Sequence, residues 1–299
     1  MRAPERPAPV PVPVSARPER LAATIDASEF AIAATRLSAW ETIAGNAALR
    51  KVLILIALAV IWEIYARRLN NQLLVPTFSA TVKAFFVAIA SGELLPKVWT
   101  SIKVLLVGYG AGVAIAAALT TFATTTRLGS DLLETLTAMF NPLPAIALLP
   151  LALIWFGLTP LSLSFVLVHS VLWPVALNTH SGFVSVSPTL RMVGKNYGLR
   201  GLRYVAQILI PAAFPSILTG LKIGWAFAWR TLIAAELIFG VQSGSGGLGW
   251  FIVNNKNILD IPNVFAGLLT VIIIGLLVEN VIFRTVEART IRRWGMATS

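Results

Sequence analysis

Long apolar stretches separated by short polar segments are the feature that most constrains how this chain folds. Six stretches are long enough to cross, or nearly cross, a bilayer as helices, which takes about 20 residues. They are Val52–Leu69, Trp99–Thr121, Leu132–Phe156, Leu161–Val175, Ile217–Phe239 and Val264–Phe283, and the fourth, the shortest, could extend to Phe183. Because backbone polar groups inside a bilayer must be hydrogen-bonded, the pattern predicts an all-α, polytopic membrane helix bundle with about six transmembrane helices.

The composition excludes several classes of soluble protein. Hydrophobic residues make up 57% of the chain, charged residues make up 12%, and cysteine is absent. A disulfide framework, a thiolate zinc site and a cysteine nucleophile are therefore excluded. The net charge of +11 would suggest a nucleic-acid partner in a soluble protein, but the positive residues lie mainly between and beyond the apolar stretches. There they set membrane topology, so membrane lipid is the expected partner and nucleic acid is not.

The distribution of Lys and Arg predicts that both termini are cytoplasmic. With the N-terminus inside, the inner segments hold sixteen of these residues and the outer segments hold six, as the positive-inside rule requires. Residues 1–50, rich in Pro and Arg at their start, are predicted to form a disordered or amphipathic cytoplasmic tail. Residues 51–290 are the predicted transmembrane domain, and residues 291–299 are a cytoplasmic C-terminal tail.

The longest polar connection on the predicted inner side spans residues 182–211, between the fourth and fifth stretches. Ser187-Pro188 is typical of a helix start, and Gly198 suits the position just after a helix end. This spacing predicts a short surface helix. A second amphipathic piece begins at Leu202 and leads back into the membrane.

This connection resembles the cytoplasmic loop of permease subunits of bacterial binding-protein-dependent ABC importers. The family motif is Glu-Ala-Ala, three residues, Gly, nine residues, Ile, any residue and Leu-Pro. The corresponding positions here are Met192, Val193, Gly194, Gly198, Ile208, Ile210 and Pro211. The Gly, the Ile and the Pro match at the family spacing, whereas Met192 replaces the Glu, both Ala positions differ, and Ile210 replaces the Leu.

Further segments are similar to the nitrate/sulfonate/taurine/bicarbonate subfamily, so the resemblance runs from about Val98 to Trp294. They are residues 141–157, Ala234-Ala-Glu236, the glycine-rich residues 243–249 and the C-terminal residues 278–294. The resemblance implies the MetI-like fold of type I ABC importer permeases in the cell inner membrane. It also implies separate ABC ATPase subunits that bind ATP and receive the loop, an outer solute-binding protein, and a second permease copy in a homodimer.

Charged and polar side chains within the apolar stretches are candidates for the translocation path, because a charge inside a bilayer is unfavourable. Arg230 and His169 both fall near mid-bilayer at about 1.5 Å per residue, and the planar fork of an Arg suits an oxyanion. The alternative is that Arg230 bonds to backbone carbonyls or a neighbouring carboxylate and that His169 donates one hydrogen bond. Trp229 and Glu236 lie on a face that either lines the path or packs on the partner copy.

Two ion pairs and one outer element are also predicted. Glu63 precedes Arg67 by one helical turn, which favours a local pair. Lys222 and Glu279 lie near the inner ends of the fifth and sixth helices, which predicts a structural ion pair between them. Residues 240–262 are predicted to form a turn and then a short amphipathic or re-entrant piece, which either gates the path or only turns the chain.

The predicted function is the permease of an ATP-driven importer for a small anion such as nitrate, a sulfonate or taurine, as the resemblance implies. The chain is not expected to be an enzyme, because it lacks a Gly-x4-Gly-Lys-Ser/Thr loop. Its two histidines are about 16 Å apart along a helix, so no metal and no cofactor is expected. The alternative is a stand-alone secondary transporter, which would show an inverted repeat and intramembrane carboxylates. No convincing repeat is present.

Overall fold

The computed structural model describes residues 46–243 and 246–291. These residues form helices joined by short loops and include no β-strand. In chain order the helices are α1 (Ala47–Leu69), α2 (Phe78–Ala90), α3 (Leu94–Thr125), α4 (Arg127–Phe140), α5 (Leu149–Phe156, after a 3-10 turn at Ala145–Leu148), α6 (Pro160–Ser185), α7 (Pro188–Asn196), α8 (Gly201–Ala212), α9 (Phe214–Ser243), α10 (Leu248–Asn257) and α11 (Ile261–Arg289). Helix α8 contains a π-helical turn at Val205–Leu209, and α11 contains one at Val278–Phe283.

The chain divides into two units, residues 1–55 and 56–299. In the first unit the described residues are the start of α1, where the Asn46 side chain accepts hydrogen bonds from the backbone N–H groups of Ala48 (3.0 Å) and Leu49 (3.2 Å). Asn46 is thus an N-cap. The second unit contains every contact described below. Most of the two predicted tails, at 1–45 and 292–299, lies outside the described residues.

Within the described ranges, α3, α6 and α11 are each long and apolar enough to cross a membrane. Two bent pairs, α4 with residues 145–156 and α8 with α9, raise the number to five if each pair is one span. Helix α1 follows the first predicted stretch but carries charged residues in its second half, where Arg67 Nε lies 2.7 Å from Glu63 Oε1. The all-α membrane bundle and the local Glu63–Arg67 pair are therefore confirmed.

The third predicted stretch, Leu132–Phe156, is not one straight helix. Helix α4 and residues 145–156 meet at 86° across a break at residues 141–144. Pro144 has extended backbone angles (φ −60°, ψ 124°). Proline has no N–H and disfavours helical geometry in the residue before it, so Pro142 and Pro144 interrupt the helix here. The break leaves the first N–H groups of the second segment without helical partners.

Helix α6 is the central helix, and α3 and α9 make the most extensive contacts with it. Gly108 and Gly112 allow the backbone of α3 to approach closely. A Cβ atom at Gly108 would lie 2.6 Å from the Cβ of Leu167, and one at Gly112 would lie 2.8 Å from the Cβ of Val171. The spacing of the two glycines is the small-xxx-small pattern of packed membrane helices.

Helix α10 is held in place by a buried carboxylate. Glu236 of α9 is 3% exposed, and each of its oxygens lies 2.7 Å from Ser101 Oγ of α3. The N–H of Gly249 donates to Glu236 Oε2 at 2.8 Å, and the N–H of Leu248 donates to Ser101 Oγ at 2.8 Å. A Cβ at Gly247 would collide with Ser101 Oγ and Glu236 Oε1. The short piece predicted after the glycine run is thus a helix whose first turn is capped by two side chains.

We expect Gly108→Ala to lower the free energy of unfolding by about 1–3 kcal/mol, because it places a methyl group where Leu167 already lies. Gly110→Ala is the matched control, since a Cβ there meets no atom within 4 Å. The thermal unfolding midpoints of the purified variants in detergent micelles measure the difference. Equal midpoints for the two variants would contradict the packing described above.

We expect Ser101→Ala to destabilise the first turn of α10. The substitution leaves the buried N–H of Leu248 without its acceptor, which costs about 1–3 kcal/mol. Hydrogen exchange followed by mass spectrometry should show faster exchange in residues 248–252 than in the wild type. Thr100→Val is the control, because it removes a neighbouring hydroxyl that bonds only to the Pro96 carbonyl of its own helix. Unchanged exchange in Ser101→Ala would refute this cap.

Candidate functional site

Helix α7 is the surface helix that the sequence predicts in the 182–211 connection. Ser187 is its N-cap, and Gly198, just after its end, has a φ of +71°, which glycine adopts without steric penalty. The N–H of Gly198 donates to the Lys195 carbonyl at 2.9 Å, and the N–H of Leu199 donates to the Gly194 carbonyl at 3.1 Å. These are the two bonds of a Schellman motif, so both ends of α7 are fixed by local interactions.

Arg191 joins α7 to the end of the central helix α6. Its Nη2 donates to the carbonyls of Phe183 (2.5 Å) and Val184 (3.3 Å), and its Nε donates to the carbonyl of Val186 (3.1 Å). Carbonyls at a helix C-terminus have no partner within the helix and carry partial negative charge, which suits a guanidinium. We call this set of three bonds the Arg191 clamp.

Helix α7 also packs directly on α8. Gly194 is buried, and a Cβ there would lie 2.9 Å from Ile208 Cγ1 and 3.1 Å from Tyr204 Cε2. Two motif positions, Gly194 and Ile208, are therefore in contact. The remaining motif residues are exposed, on α7 or in the last turn of α8: Met192, Val193, Ile210 and Pro211. The 81° bend between α8 and α9 follows directly after them.

A cavity of about 180 Å³ lies at the break between α4 and residues 145–156. The break forms one wall and α6 and α9 form the others; its lining residues are Asn141, Pro142, Leu143, Pro144, Ala145, His169, Ser170, Trp173, Pro174, Phe227 and Thr231. We call it the break cavity. Ser170 Oγ of α6 and Thr231 Oγ1 of α9 lie 3.1 Å apart, so a hydrogen bond between hydroxyls joins the two helices here.

The ring nitrogens of two residues that line the break cavity, His169 and Trp173, are buried without a hydrogen-bond partner among the described residues. Trp173 stacks on Phe140 (ring centroids 5.8 Å apart, 8° between planes), and its indole N–H has no hydrogen-bond partner among the described residues. The Phe140 carbonyl faces His169, but neither nitrogen of that ring makes a hydrogen bond of normal geometry. These ring nitrogens are enclosed by the surrounding side chains, and no described residue accepts from or donates to them with normal geometry.

The structure places the four residues predicted for the translocation path at three sites, with only Trp229 and Arg230 bordering the same cavity. His169 lines the break cavity, whereas Glu236 caps α10 and Trp229 is buried, with its indole N–H donating to the Val271 carbonyl at 3.2 Å. Arg230 donates from Nε to the carbonyl one turn earlier at 3.0 Å, and its guanidinium lies over the ring of Phe227, 5.0 Å from the centroid. His169 and Arg230 thus line different cavities. Arg230 thus bonds to a backbone carbonyl of its own helix, whereas His169 makes no hydrogen bond among the described residues.

The predicted ion pair between Lys222 and Glu279 is wrong in its acidic partner. Lys222 Nζ lies 2.5 Å from Glu287 Oε2, two turns further along α11. Glu279 lies at the start of the π-helical turn and borders the same cavity as Lys222 without bonding to it. The pair still joins α9 to α11, as expected from the sequence.

Three residues of the site were not predicted. A cation close to the end of a preceding helix often bonds to its last carbonyls, so the position of Arg191 six residues after Ser185 was a usable signal. No local pattern indicates Trp173 or Thr231. Their importance depends on the break at residues 141–144, which brings together segments far apart in the sequence.

The family model and the relatives that match this chain all describe transport permeases. Residues 108–293 match the family of binding-protein-dependent transport system inner membrane components. A putative ABC transporter permease of Methanocaldococcus jannaschii is 31% identical over 225 residues, covering 74% of this chain and 83% of the relative. A putative aliphatic sulfonates transport permease of Escherichia coli K12 is 28% identical over 226 residues, covering 75% and 84%. A nitrate import permease of Synechocystis is 28% identical over 241 residues, which cover 78% of this chain and 86% of the relative.

These matches agree with the capped loop helix and the apolar helix bundle. They show that the chain belongs to the binding-protein-dependent transport system inner membrane component family, as a permease subunit of an ABC importer.

Proposed function

We propose that this permease carries a small solute with an oxyanion group, such as nitrate, a sulfonate or taurine, inward across the cell membrane. A separate ATPase drives the cycle from the cytoplasmic side, where the loop helix and both termini lie. An outer binding protein delivers the solute. The names of the sulfonate and nitrate permeases among the relatives support the class of solute, and family membership favours the importer over a stand-alone secondary transporter.

The observation that carries this proposal is that one helix connects the loop to the break cavity. The Arg191 clamp fixes α7 to the last turn of α6. The same α6 carries His169, Ser170 and Trp173 in the cavity wall. Ser170 and Ser185 are separated by about 22 Å along the helix at the standard rise. A partner that moves α7 therefore acts on the cavity wall through one continuous helix.

The loop offers a docking surface for such a partner. Met192 on α7 is 57% exposed, Tyr197 just after α7 is 81% exposed, and Leu202 in the first turn of α8 is 73% exposed. Lys195, Arg200 and Arg203 add positive charge in the same segment. Apolar side chains exposed together with cations outside the apolar helices are typical of a protein–protein interface. We assign this surface to the ATPase subunit, which supplies the catalysis.

A second permease copy is the proposed cover for one face of α9. Ile223, Phe227, Arg230 and Leu237 recur at helical spacing and are exposed. Arg230 makes no ion pair within the described ranges. A guanidinium facing lipid near mid-bilayer would be strongly unfavourable. This stripe therefore faces protein or a water-filled path, as it would at the interface of a homodimer.

The decisive measurement is the ATPase rate of the assembled complex in lipid nanodiscs. We expect hydrolysis to rise when the binding protein is loaded with nitrate, methanesulfonate or taurine, and not with the unloaded binding protein. Uptake into proteoliposomes should require the ATPase. Solute transport by the permease alone would refute the proposal and favour a secondary transporter.

We expect Arg191→Ala to uncouple the complex. Hydrogen bonds from a charged donor contribute about 1.5–3 kcal/mol, which corresponds to a tenfold or greater loss of the clamped population. The increase in ATPase rate caused by loaded binding protein should therefore nearly disappear, while pull-down with the ATPase shows that the complex still assembles. Arg68→Ala is the control, because Arg68 is exposed and has no hydrogen bond or ion pair with any described residue. Wild-type stimulation in Arg191→Ala would contradict the role of the clamp.

Gly198→Ala tests the end of α7 in the same assay. An Ala at φ +71° costs about 1 kcal/mol and loosens the Schellman motif. Gly92→Ala carries the same strain, at φ +75°, and neither glycine has an atom within 4 Å of its Cβ position. We expect both variants to lose similar thermal stability, but only Gly198→Ala to reduce stimulated hydrolysis. Equal stimulation in the two variants would argue against α7 as the coupling element.

A further inference from the structure

A groove of about 350 Å³ lies between α9 and α11, and we call it the α9–α11 groove. Most of its lining is apolar or aromatic, and the charged residues in that lining are Lys222, Arg230 and Glu279. One buried water needs about 10–15 Å³. The groove therefore has room for a solute of several heavy atoms, and its fixed charges decide which solute that is.

One of the two cations is already neutralised within the chain. Lys222 Nζ lies 2.5 Å from Glu287 Oε2. In contrast, neither Arg230 nor Glu279 makes an ion pair with any described residue, and both are exposed. The groove thus presents one guanidinium and one carboxylate that lack an ionic partner among the described residues.

Contacts between the two helices fix the depth of Glu279. Trp229 of α9 lies level with Gly275 of α11, where a Cβ would be 3.7 Å from the indole nitrogen. Trp225 of α9 lies level with Phe283 of α11, with ring centroids 6.4 Å apart. Glu279 is four residues from both Gly275 and Phe283. It is therefore level with the stretch of α9 between the two tryptophans.

The Arg230 side chain reaches the same level. Its Nε donates to the carbonyl of Ala226, one turn earlier, at 3.0 Å, and its guanidinium lies 5.0 Å from the centroid of the Phe227 ring. Ala226 and Phe227 both fall between the two tryptophans. The guanidinium of Arg230 and the carboxylate of Glu279 are thus at a common depth, without a direct bond between them.

This depth is well inside the membrane. Ala226 lies about 18 Å from the first residue of α9 and about 26 Å from the last at the standard rise, so lipid headgroups lie beyond it on both sides. Exposed charges at such a depth face protein or a water-filled path and mark routes of substrates. Glu279 also belongs to the π-helical turn at Val278–Phe283, and such turns are frequent at functional sites.

A solute that carries both charges suits this pair better than a simple anion does. A sulfonate accepts from the guanidinium of Arg230, and an ammonium donates to the carboxylate of Glu279. A simple oxyanion would meet Arg230 but be repelled by the nearby carboxylate, since like charges interact strongly where water is scarce. A simple cation would be repelled by Arg230 in the same way. Repulsion of this kind is a common basis of specificity.

We propose that the α9–α11 groove binds a zwitterionic aminosulfonate such as taurine, with its sulfonate on Arg230 and its ammonium on Glu279. The inference rests on the proposed function and narrows its solute from oxyanions in general to those that also carry an ammonium. Two carbons separate the ammonium from the sulfonate of taurine, so one molecule is long enough to contact two side chains at the same level of a groove.

Glu279→Gln tests the ammonium side, because it removes the charge and keeps the shape. Uptake into proteoliposomes is measured with one binding protein throughout, and each variant is compared with the wild type for the same solute. We expect uptake of taurine to fall about tenfold, the effect of one hydrogen bond between charged groups. Uptake of methanesulfonate, which lacks the ammonium, should not fall. Arg230→Gln should lower the uptake of both.

Glu134→Gln is the matched control, because it removes an exposed carboxylate of α4 outside the groove. It should leave the uptake of both solutes unchanged. Equal losses of taurine and methanesulfonate uptake in Glu279→Gln, or no loss of either, would overturn the inference.

The double variant Arg230→Gln/Glu279→Gln distinguishes this site from an ion pair that the two residues could form between neighbouring copies. If they pair, removal of both leaves no unpaired charge, so taurine uptake recovers relative to the single variants. If they hold the solute, the double variant takes up taurine no better than either single variant. Recovery would therefore contradict the proposal.

A labelling experiment measures occupancy of the groove without transport. The chain has no cysteine, so Ala226→Cys places a unique thiol of this subunit on the exposed wall of the groove. With the assembled complex in nanodiscs, taurine should slow the reaction of this thiol with methyl methanethiosulfonate severalfold, and methanesulfonate or nitrate should slow it less. Leu73→Cys, at a residue that is 60% exposed and outside the groove, should react without protection.

Two results of the labelling would overturn the inference. One is a thiol at Ala226→Cys that taurine protects no better than methanesulfonate does. The other is a thiol that reacts more slowly in phosphatidylethanolamine than in phosphatidylglycerol nanodiscs without solute, because a zwitterionic lipid headgroup then occupies the groove.

The outcomes also separate the two proposals. If the wild-type complex transports none of nitrate, methanesulfonate and taurine, the proposed function fails. If it transports them and Glu279→Gln affects taurine and methanesulfonate alike, the zwitterion site is wrong and the proposed function stands.

Discussion

The close approach of α3 and α9 to α6 is the constraint on which the rest of this structure depends. Glycines make it possible on both sides. On one side, Gly108 and Gly112 of α3 leave room for Leu167 and Val171 of α6. On the other side, a Cβ at Gly220 of α9 would lie 2.9 Å from the Cβ of Asn178. In a bilayer the apolar surroundings give little drive for helices to associate, so van der Waals packing of this kind holds them together. Helix α6 is thereby fixed along its length by two neighbours.

The break cavity is the exception to this packing, and its position follows from the same helix. Two prolines end α4 before it can complete the third predicted span, so the wall that faces His169 and Trp173 is irregular backbone. Irregular backbone at membrane depth is tolerated where it lines a cavity. The chain thus uses regular, glycine-packed contacts to hold α6 and an interruption at residues 141–144 to leave a cavity beside it.

Sequence patterns were sufficient where the interaction is local. The α7 helix followed from Ser187-Pro188 and Gly198, and the Glu63–Arg67 pair followed from one helical turn of spacing.

The same patterns were insufficient where a contact depends on the length and path of a whole helix. The π-helical turn at Val278–Phe283 adds a residue to one turn of α11 and rotates everything beyond it by about 100°. The sequence prediction ended this helix at Phe283 and so placed Glu279 near Lys222, but α11 continues to Arg289 and brings Glu287 there instead. The break cavity could not be predicted for a related reason, because the 86° bend decides which segments meet.

The placement of Arg230 next to the break cavity, but not in its lining, has a physical rationale. Its guanidinium lies against one face of the Phe227 ring, and Phe227 lines the cavity. For the proposed oxyanion solute, a positive charge at this distance raises the local potential in a low-dielectric interior. Bidentate contact through a free fork would hold an oxyanion tightly, since charge-assisted pairs of that kind are among the strongest hydrogen bonds in proteins. The Ala226 carbonyl already takes the Nε–H of Arg230, which keeps the attraction and weakens the contact. A transporter needs this combination, because a solute that binds too well in the middle of the membrane is not released.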